Sequence, residues 1–469
     1  MLSSPQTENP PTPKRGGLFA FFKPETPKPL VQGSPEEIKR QFRYWQNRIL
    51  LSSLIGYALF YFVRKNLGIA MPYLEKDLGI SKSDLGLFLT LHGVLYGISK
   101  FANGFLADRA NARTMMAAGL ILSAITNFFF GFSSAVVTLG LFWMLNGWFQ
   151  GIGFPPCARL MTHWFSPKEL ATKMSIWNTS HSIGAALVLI LCGYLLKHTG
   201  NWRLCFIVPG AIALLGSVFL LFALRDTPRS LGLPEVEGTE SKETGGDETS
   251  GAEFKAFLRK KVFGNPYIWI IALANFFVYS VRYAVLDWGP TLLHEMKGFD
   301  IAKAGWMTAS FEISGIAGML LTGWLTDKLF KGRGARMCVF CMALTAVSIF
   351  VFWKLPASSL ALNTAVLCCA GFFIYGPQAL VGISVANLAT KRAAATAIGL
   401  TGIFGYASTI LSGWGLGKLV DMNTVRDEAD TIVQHGWGAG FAGILLMAMI
   451  GTLLFAAAWP AKAHGYEQK

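Results

Sequence analysis

The chain has 469 residues, 52% of them hydrophobic and only 14% charged, with a mean hydropathy of +0.43. Soluble domains carry about 25% charged residues, so this balance excludes a soluble globular protein and points to several crossings of a bilayer. The formal net charge of +14 raises nucleic acid as a partner. Its distribution along the chain argues against that reading, and no nucleic acid is expected.

Residues 1–45 are polar and proline-rich, without the apolar core of a cleaved secretory peptide, and a disordered cytoplasmic tail is expected there. Apolar runs long enough to cross a bilayer follow at about 48–73, 84–106, 114–133, 138–162, 174–196 and 203–224. A linker over 225–263 interrupts them, with SKETGGDETSGAE at its centre and a basic patch at Arg259–Lys261. Six more runs lie at about 266–289, 302–326, 337–354, 362–388, 394–419 and 438–459, before a short tail over 461–469. The runs are continuous rather than alternating, so they are helices and not barrel strands. The expected architecture is all-α, with twelve membrane helices in two six-helix halves over 46–224 and 264–460. Roughly 28 of the 41 Lys and Arg fall on the side that holds both termini and the linker, and about 9 on the other. That side is therefore the cytoplasm. The seven cysteines lie in or beside apolar runs with no metal-site or disulfide spacing, and no metal or cofactor is expected.

The halves repeat one another. The second run ends GFLADR, with Gly104, Asp108 and Arg109, and the eighth ends GWLTDK, with Gly323 and Asp327. The first holds YFVRKN around Arg64, and the seventh YSVRYA around Arg282. From 108 to 327 is 219 residues and from 64 to 282 is 218, so two motifs repeat at nearly one offset. The glycines are expected to allow close helix approach, and this motif marks the fold rather than the substrate.

Charges inside the runs carry the functional reading. Arg64 lies 16 residues past Arg48, about 24 Å along a helix, too far to snorkel back to that end. A charge at such depth costs about 2.5–3.5 kcal/mol or more, and it persists where a wet cavity or a partner receives it. Equivalent positions in related halves place Arg64 and Arg282 at one depth. Two converging guanidiniums suit a doubly charged oxyanion, because each offers a planar fork and neither sheds its proton. Away from the ends of the runs, Arg64, Lys65, Lys100 and Arg282 face only Asp287 and Glu312, a surplus of two positive charges with His181 neutral. A phosphate ester carries about −1.5 to −2 near neutral pH. Tyr57, Tyr61 and Arg64 share one helical face, and Asn275, Tyr279 and Arg282 a similar one. Lys100, with Tyr96 one turn before it, is either a further phosphate contact, the favoured reading, or a counter-ion to Glu312. His181, with Asn178 three residues back, is either a site residue or an interior histidine. Trp148, Tyr375 and Tyr406 stay open between site and packing.

YALFYFVRKN, YGISKFANGFLADRANAR, NGWFQGIGFPPCARLMTHWFS, IWNTSHSIGAA, LRDTPRSLGLP, VYSVRYAVLDWGP and FIYGPQALVG together resemble the organophosphate:phosphate antiporters of the major facilitator superfamily. That group includes bacterial glycerol-3-phosphate and hexose-phosphate transporters and a related hexose-phosphate sensor. The resemblance runs from about Arg43 to Ala458. It implies the major-facilitator fold, a bacterial inner-membrane location and a monomer. It also implies phosphate-gripping roles for Arg64 and Arg282, assisted by Lys100 and His181 and walled by Tyr57, Tyr61, Tyr96, Tyr279 and Tyr375. Gating roles fall to Lys65, Asp287 and Glu312. The implied activity is exchange of inorganic phosphate for an external phosphate ester as the halves rock about the site. The eleventh run departs from the hexose-phosphate transporter, because Thr409–Trp414 (TILSGW) is uncharged. That leans towards the glycerol-phosphate or sensor branches. Two other classes stand beside the carrier. One is a sensor using the same clamp to signal to a membrane histidine kinase. The other is a membrane phosphoesterase, for which no nucleophile–base pair or metal set is visible.

Overall fold

A computed structural model describes residues 22–107, 110–236, 256–389, 394–429 and 431–461. Among them, eight helices are long and apolar enough to cross a membrane. Those eight answer to the second, third, fifth, sixth, seventh, ninth, tenth and twelfth expected spans. The four others are explained by breaks and charges. The first span is two helices, Pro35–Phe62 and Leu67–Leu78; the fourth is Val136–Gln150 and Phe154–Trp164. The eleventh passes through a π-helical turn at Ile410–Gly415 between Ala394–Ala407 and Leu416–Met422. The eighth, Ile301–Phe330, is continuous but carries Glu312 in its middle.

The tail differs from expectation. Its helix begins at Pro35, ten residues before the expected boundary, because Ser34 and Glu37 form a reciprocal capping box and Pro35 opens the first turn. Residues from Phe22 onward are docked. The Phe22 carbonyl accepts from Asn111 N–H at 2.9 Å, Val31 N–H donates to the Gly232 carbonyl at 2.8 Å, and Glu25 pairs with Arg113 at 2.8 Å. A polar, proline-rich composition does not reveal such main-chain bonds to distant loops. The linker is ordered at its start, where buried Asp226 accepts from Ala112 N–H at 2.9 Å.

The halves meet along a seam that lies from mid-depth to the end opposite the chain termini. The second span (Lys82–Ala107) runs against the eleventh, the fifth (Pro167–Thr199) against the eighth, and Leu67–Leu78 against the seventh (Pro266–Glu295). Two glycines make this approach possible. A Cβ on Gly68 would stand 2.3 Å from the Asp287 carbonyl oxygen, and one on Gly86 2.4 Å from that of Gly413. Thr90 joins the same crossing, donating to the Thr409 carbonyl at 2.7 Å and accepting from Trp414 N–H at 2.9 Å. Its hydroxyl thereby serves backbone groups that the π-turn leaves outside the regular ladder.

The outer end of the seam is held by charge. Lys82, 1% exposed, bonds Glu75 of its own half and reaches Glu295 of the other at 3.1 Å. Glu295 also accepts from Trp437 Nε1 at 2.7 Å, and Asp421 accepts from Ser83 N–H at 2.6 Å. None of these residues stood out in the sequence, because at a span's end such charges look like an ordinary solvated rim.

The expected role of the repeat-motif glycines is corrected. Nothing lies within 4 Å of a Cβ built on Gly104 or Gly323, since both sit towards the terminus-bearing end, away from the seam. Asp327 is exposed, and Asp108 and Arg109 lie outside the described residues. Five of the seven cysteines are buried as expected, whereas Cys368 is half-buried and Cys369 exposed.

Candidate anion site

The first span was expected to carry Tyr57, Tyr61 and Arg64 on one helical face. Its helix instead ends at Phe62 and resumes at Leu67, leaving Arg64 and Lys65 in the break. Their N–H groups bond back to the Tyr61 carbonyl at 3.3 and 3.0 Å. Non-helical backbone at membrane depth stands only where protein groups satisfy it, and buried asparagines of the same half do so here.

Arg64 is buried, its guanidinium carbon 3.9 Å from the Tyr96 ring centre and 5.3 Å from that of Tyr61. No carboxylate partners it among the described residues. Lys100 likewise has none. Its ammonium donates to the Tyr406 hydroxyl across the halves at 3.0 Å and lies 3.8 Å from the Phe154 ring centre. The counter-ion reading of Lys100 with Glu312 is thereby excluded in this conformation.

Arg282 is held differently. It sits within the unbroken seventh span, and its Nη2 donates to the Tyr375 hydroxyl at 2.7 Å and reaches Glu312 Oε1 at 3.5 Å. The Tyr375 hydroxyl donates to the same Glu312 oxygen. Arg282 Nε and Glu312 Oε2 remain without partners among the described residues. Glu312 therefore ties the seventh, eighth and tenth spans within one half and is not a cross-half pair. Beside the site, the ion pair that crosses between the halves is Lys65 Nζ with Asp287 Oδ1, at 2.5 Å and buried on both sides, in addition to the Lys82–Glu295 contact at the outer seam.

His181 bridges the two arginine environments. Its ring stacks on Tyr375 at 6.2 Å and 19°, and lies 5.8 Å from the Tyr61 ring; its Nε2 has no partner among the described residues. It stands within electrostatic reach of Arg64, Lys65 and Arg282, and Tyr61 and Tyr283 each within reach of both arginines. Around this centre run Tyr57 (hydroxyl 3.5 Å from that of Tyr96), Tyr96 against Tyr406 at 5.0 Å, and Tyr279 against Tyr406 at 6.4 Å. Asn178 is half-buried, and its side-chain amide makes no hydrogen bond among the described residues. Trp148 is 38% exposed, and its ring stacks on none of these side chains among the described residues.

Sequence reasoning missed Tyr283, Phe154 and Trp177. The Lys65 ammonium lies 4.8 Å from the Tyr283 ring centre, and the Trp177 ring 4.6 Å from that of Tyr57. Tyr283 is one residue from Arg282, about 100° around the helix, so a search along one face passes it over.

Two of the four cations are thus paired to carboxylates, Lys65 and Arg282, while Arg64 and Lys100 are not. The surplus of two positive charges lies in the N-terminal half, at a buried, aromatic-walled site where the halves meet. Its charge and its donors are of the kind that suit a small multivalent anion.

The Major Facilitator Superfamily profile matches residues 53–413. The chain belongs to that superfamily. Within it, the chain is 40% identical over 463 residues to the "Probable hexose phosphate transport protein" of Chlamydia pneumoniae, covering 96% of this chain and 98% of that one. It is 38% identical over 442 residues to "Membrane sensor protein UhpC" of Escherichia coli, covering 93% and 97%. It is also 38% identical over 420 residues to the "Glycerol-3-phosphate transporter" of Bacillus subtilis, covering 88% and 92%. Among solved structures, an inward-facing, unoccupied bacterial homologue of the lysosomal transporter Spinster matches with a TM-score of 0.71 at 17% identity. That match covers 88% of this chain and 95% of the other, and it establishes the shared fold. As a major facilitator, this chain is an integral membrane protein. Identities of 40, 38 and 38% lie too close to choose among these relatives, so the lean away from hexose phosphate gains no support.

Proposed function

We propose that this protein exchanges a phosphate ester, of the hexose-phosphate or glycerol-3-phosphate kind, for inorganic phosphate across the bacterial inner membrane by alternating access. The observation that carries the reading is the uncompensated charge at Arg64 and Lys100, set beside a partly compensated Arg282. An empty site keeps two positive charges in a low-dielectric centre, and closing over them desolvates bare charge. A bound phosphate cancels that surplus, so the loaded carrier changes sides far more readily than the empty one. Phosphate also competes with Glu312 for Arg282, and with Asp287 for Lys65, an ion pair that joins the halves beside the site.

With both termini in the cytoplasm, as the charge asymmetry supports, the seam of Lys82, Glu295 and Asp421 closes the outer face. The site then opens towards the cytoplasm. The test is counterflow in proteoliposomes: labelled phosphate inside should leave only when phosphate or an ester is present outside. Efflux into phosphate-free buffer at the same rate defeats obligate exchange.

The second reading is a sensor that signals to a membrane histidine kinase. It is favoured by the 38% identity to the E. coli membrane sensor over nearly the whole chain. Its outcome in the same vesicles is ligand binding without turnover.

A further inference from the structure

The break that carries Arg64 and Lys65 is bracketed by one side chain. Asn127, fully buried in the third span (Ala112–Phe132), donates from Nδ2 to the Val63 carbonyl at 2.9 Å, just before the break. Its Oδ1 accepts from Asn66 Nδ2 at 2.8 Å, just after it. Asn66 is fully buried too, and its Nδ2 also reaches the Cys205 carbonyl in the sixth span at 2.8 Å. Asn127 is anchored in turn to the Ser123 carbonyl at 3.0 Å. The Ser123 carbonyl also accepts from Asn146 of the fourth span at 3.2 Å, and Asn146 meets His92 of the second span at 3.1 Å.

We propose that Asn127 is the positioning residue of the anion site: it touches no anion, but it fixes the non-helical turn from which Arg64 reaches the aromatic wall and Lys65 reaches Asp287. The chemistry requires an amide. The Val63 carbonyl needs a donor and the Asn66 amide needs an acceptor, and a carboxamide supplies both from one planar group. Without it, the freed carbonyl lies in an apolar interior, where backbone groups must find partners. The turn then relaxes towards continuous helix. Once the turn is no longer fixed, nothing holds the backbone of Arg64 at the one height and angle from which its guanidinium lies 3.9 Å from the Tyr96 ring centre. The seventh span needs no such device, since Arg282 stands in an intact helix.

The inference rests on Arg64 being the anchor for phosphate, and the experiment separates the two ideas. Inorganic phosphate affinity of the purified full chain is measured by thermal shift for wild type, Asn127→Leu, Arg64→Lys and the double variant. Asn127→Leu is expected to weaken phosphate about tenfold, the worth of one hydrogen-bonded group. In the Arg64→Lys background the same change should cost under about twofold, because two changes that act through one group do not add. A merely structural asparagine lowers the melting temperature in both backgrounds and leaves the two affinity losses multiplying; that result overturns the proposal. So does a folded Asn127→Leu protein with wild-type phosphate affinity. If Asn127→Leu does not fold, Asn66→Ala takes its place, since it removes one end of the bracket and spares the bond to Val63, and the same two outcomes decide. Wild-type protein that binds no phosphate, or Arg64→Lys protein that binds it normally, defeats the reading of the site itself.

Discussion

In the first span an arginine sits in a break, stacked on tyrosines, with no carboxylate beside it. In the seventh span its counterpart sits in an intact 30-residue helix, with Glu312 and the Tyr375 hydroxyl on its guanidinium. The repeat offset sets Arg64 and Arg282 at equivalent positions of the two halves, yet the two are held differently. One half gives up backbone regularity around its cation and leaves the charge free. The other keeps the helix and shares the charge. The two-arginine clamp proposed above is therefore asymmetric: Arg64 is free of carboxylates among the described residues, whereas Arg282 shares its charge with Glu312.

The largest effect should come from the buried Lys65–Asp287 ion pair, which joins the halves beside the two arginines. Asp287→Asn leaves the Lys65 ammonium buried without a counter-charge, and breaking a buried pair in this way costs about 3–5 kcal/mol. The expected result is the steepest loss of thermal stability among these variants, partly restored by saturating phosphate. A variant that melts like wild type removes the pair as a tie between the halves.

Next comes the asymmetry itself. Charge-assisted hydrogen bonds are worth about 1.5–3 kcal/mol, and lysine replaces the fork by a point charge. Arg64→Lys should weaken inorganic phosphate by about a hundredfold and Arg282→Lys by about tenfold, since the latter already shares its charge. Equal losses in a binding titration erase the distinction. Glu312→Gln sharpens it from the other side: Arg282 is released, phosphate binds about tenfold tighter, and turnover falls because the loaded site keeps excess charge. Tighter binding without slower counterflow breaks the link between charge balance and switching.

Much of this was legible in the chain. Continuous apolar runs, the Lys/Arg bias and the paired motifs around 64 and 282 gave twelve spans in two halves. The charge inventory predicted a surplus of two, and the described residues show where it sits. The break at Val63–Asn66 was not legible, because its hydrogen-bonding partner, Asn127, lies 64 residues from Val63 along the chain. Nor was the pairing of Glu312. Sequence counted it among the acids facing the cations, but only packing shows that the Tyr375 hydroxyl and Arg282 reach it from the same half. The docked tail from Phe22 was missed for a related reason, since main-chain bonds leave no trace in composition.

The smallest expected effect concerns the outer seam, which must part if both arginines are to face the other side of the membrane. His435, half-buried before the twelfth span (Trp437–Ala457), has Nδ1 3.2 Å from Glu295 Oε2 and 3.4 Å from Lys82 Nζ. Burial first, and then the Lys82 ammonium, hold it below the ordinary histidine range; Arg426 and His294 push the same way, and Glu75 opposes them. Parting the seam hydrates the ring and returns it to about 6.5. The closed seam therefore holds the neutral form, and its advantage is lost as pH falls through the mildly acidic range. Glu75 works against this at lower pH, because burial raises its carboxyl and the closed seam keeps that proton. Opening should accordingly increase from neutral to mildly acidic pH and then level off. Thr291, buried at the seam with its hydroxyl on the Gly68 carbonyl, offers a reporter, and exposed Val433 on the neighbouring hairpin a reference. Labelling of Thr291→Cys by an impermeant maleimide, relative to Val433→Cys, should rise by about threefold between pH 7.5 and 6, and His435→Asn should flatten that rise. An identical rise in the His435→Asn protein assigns the titration to another group.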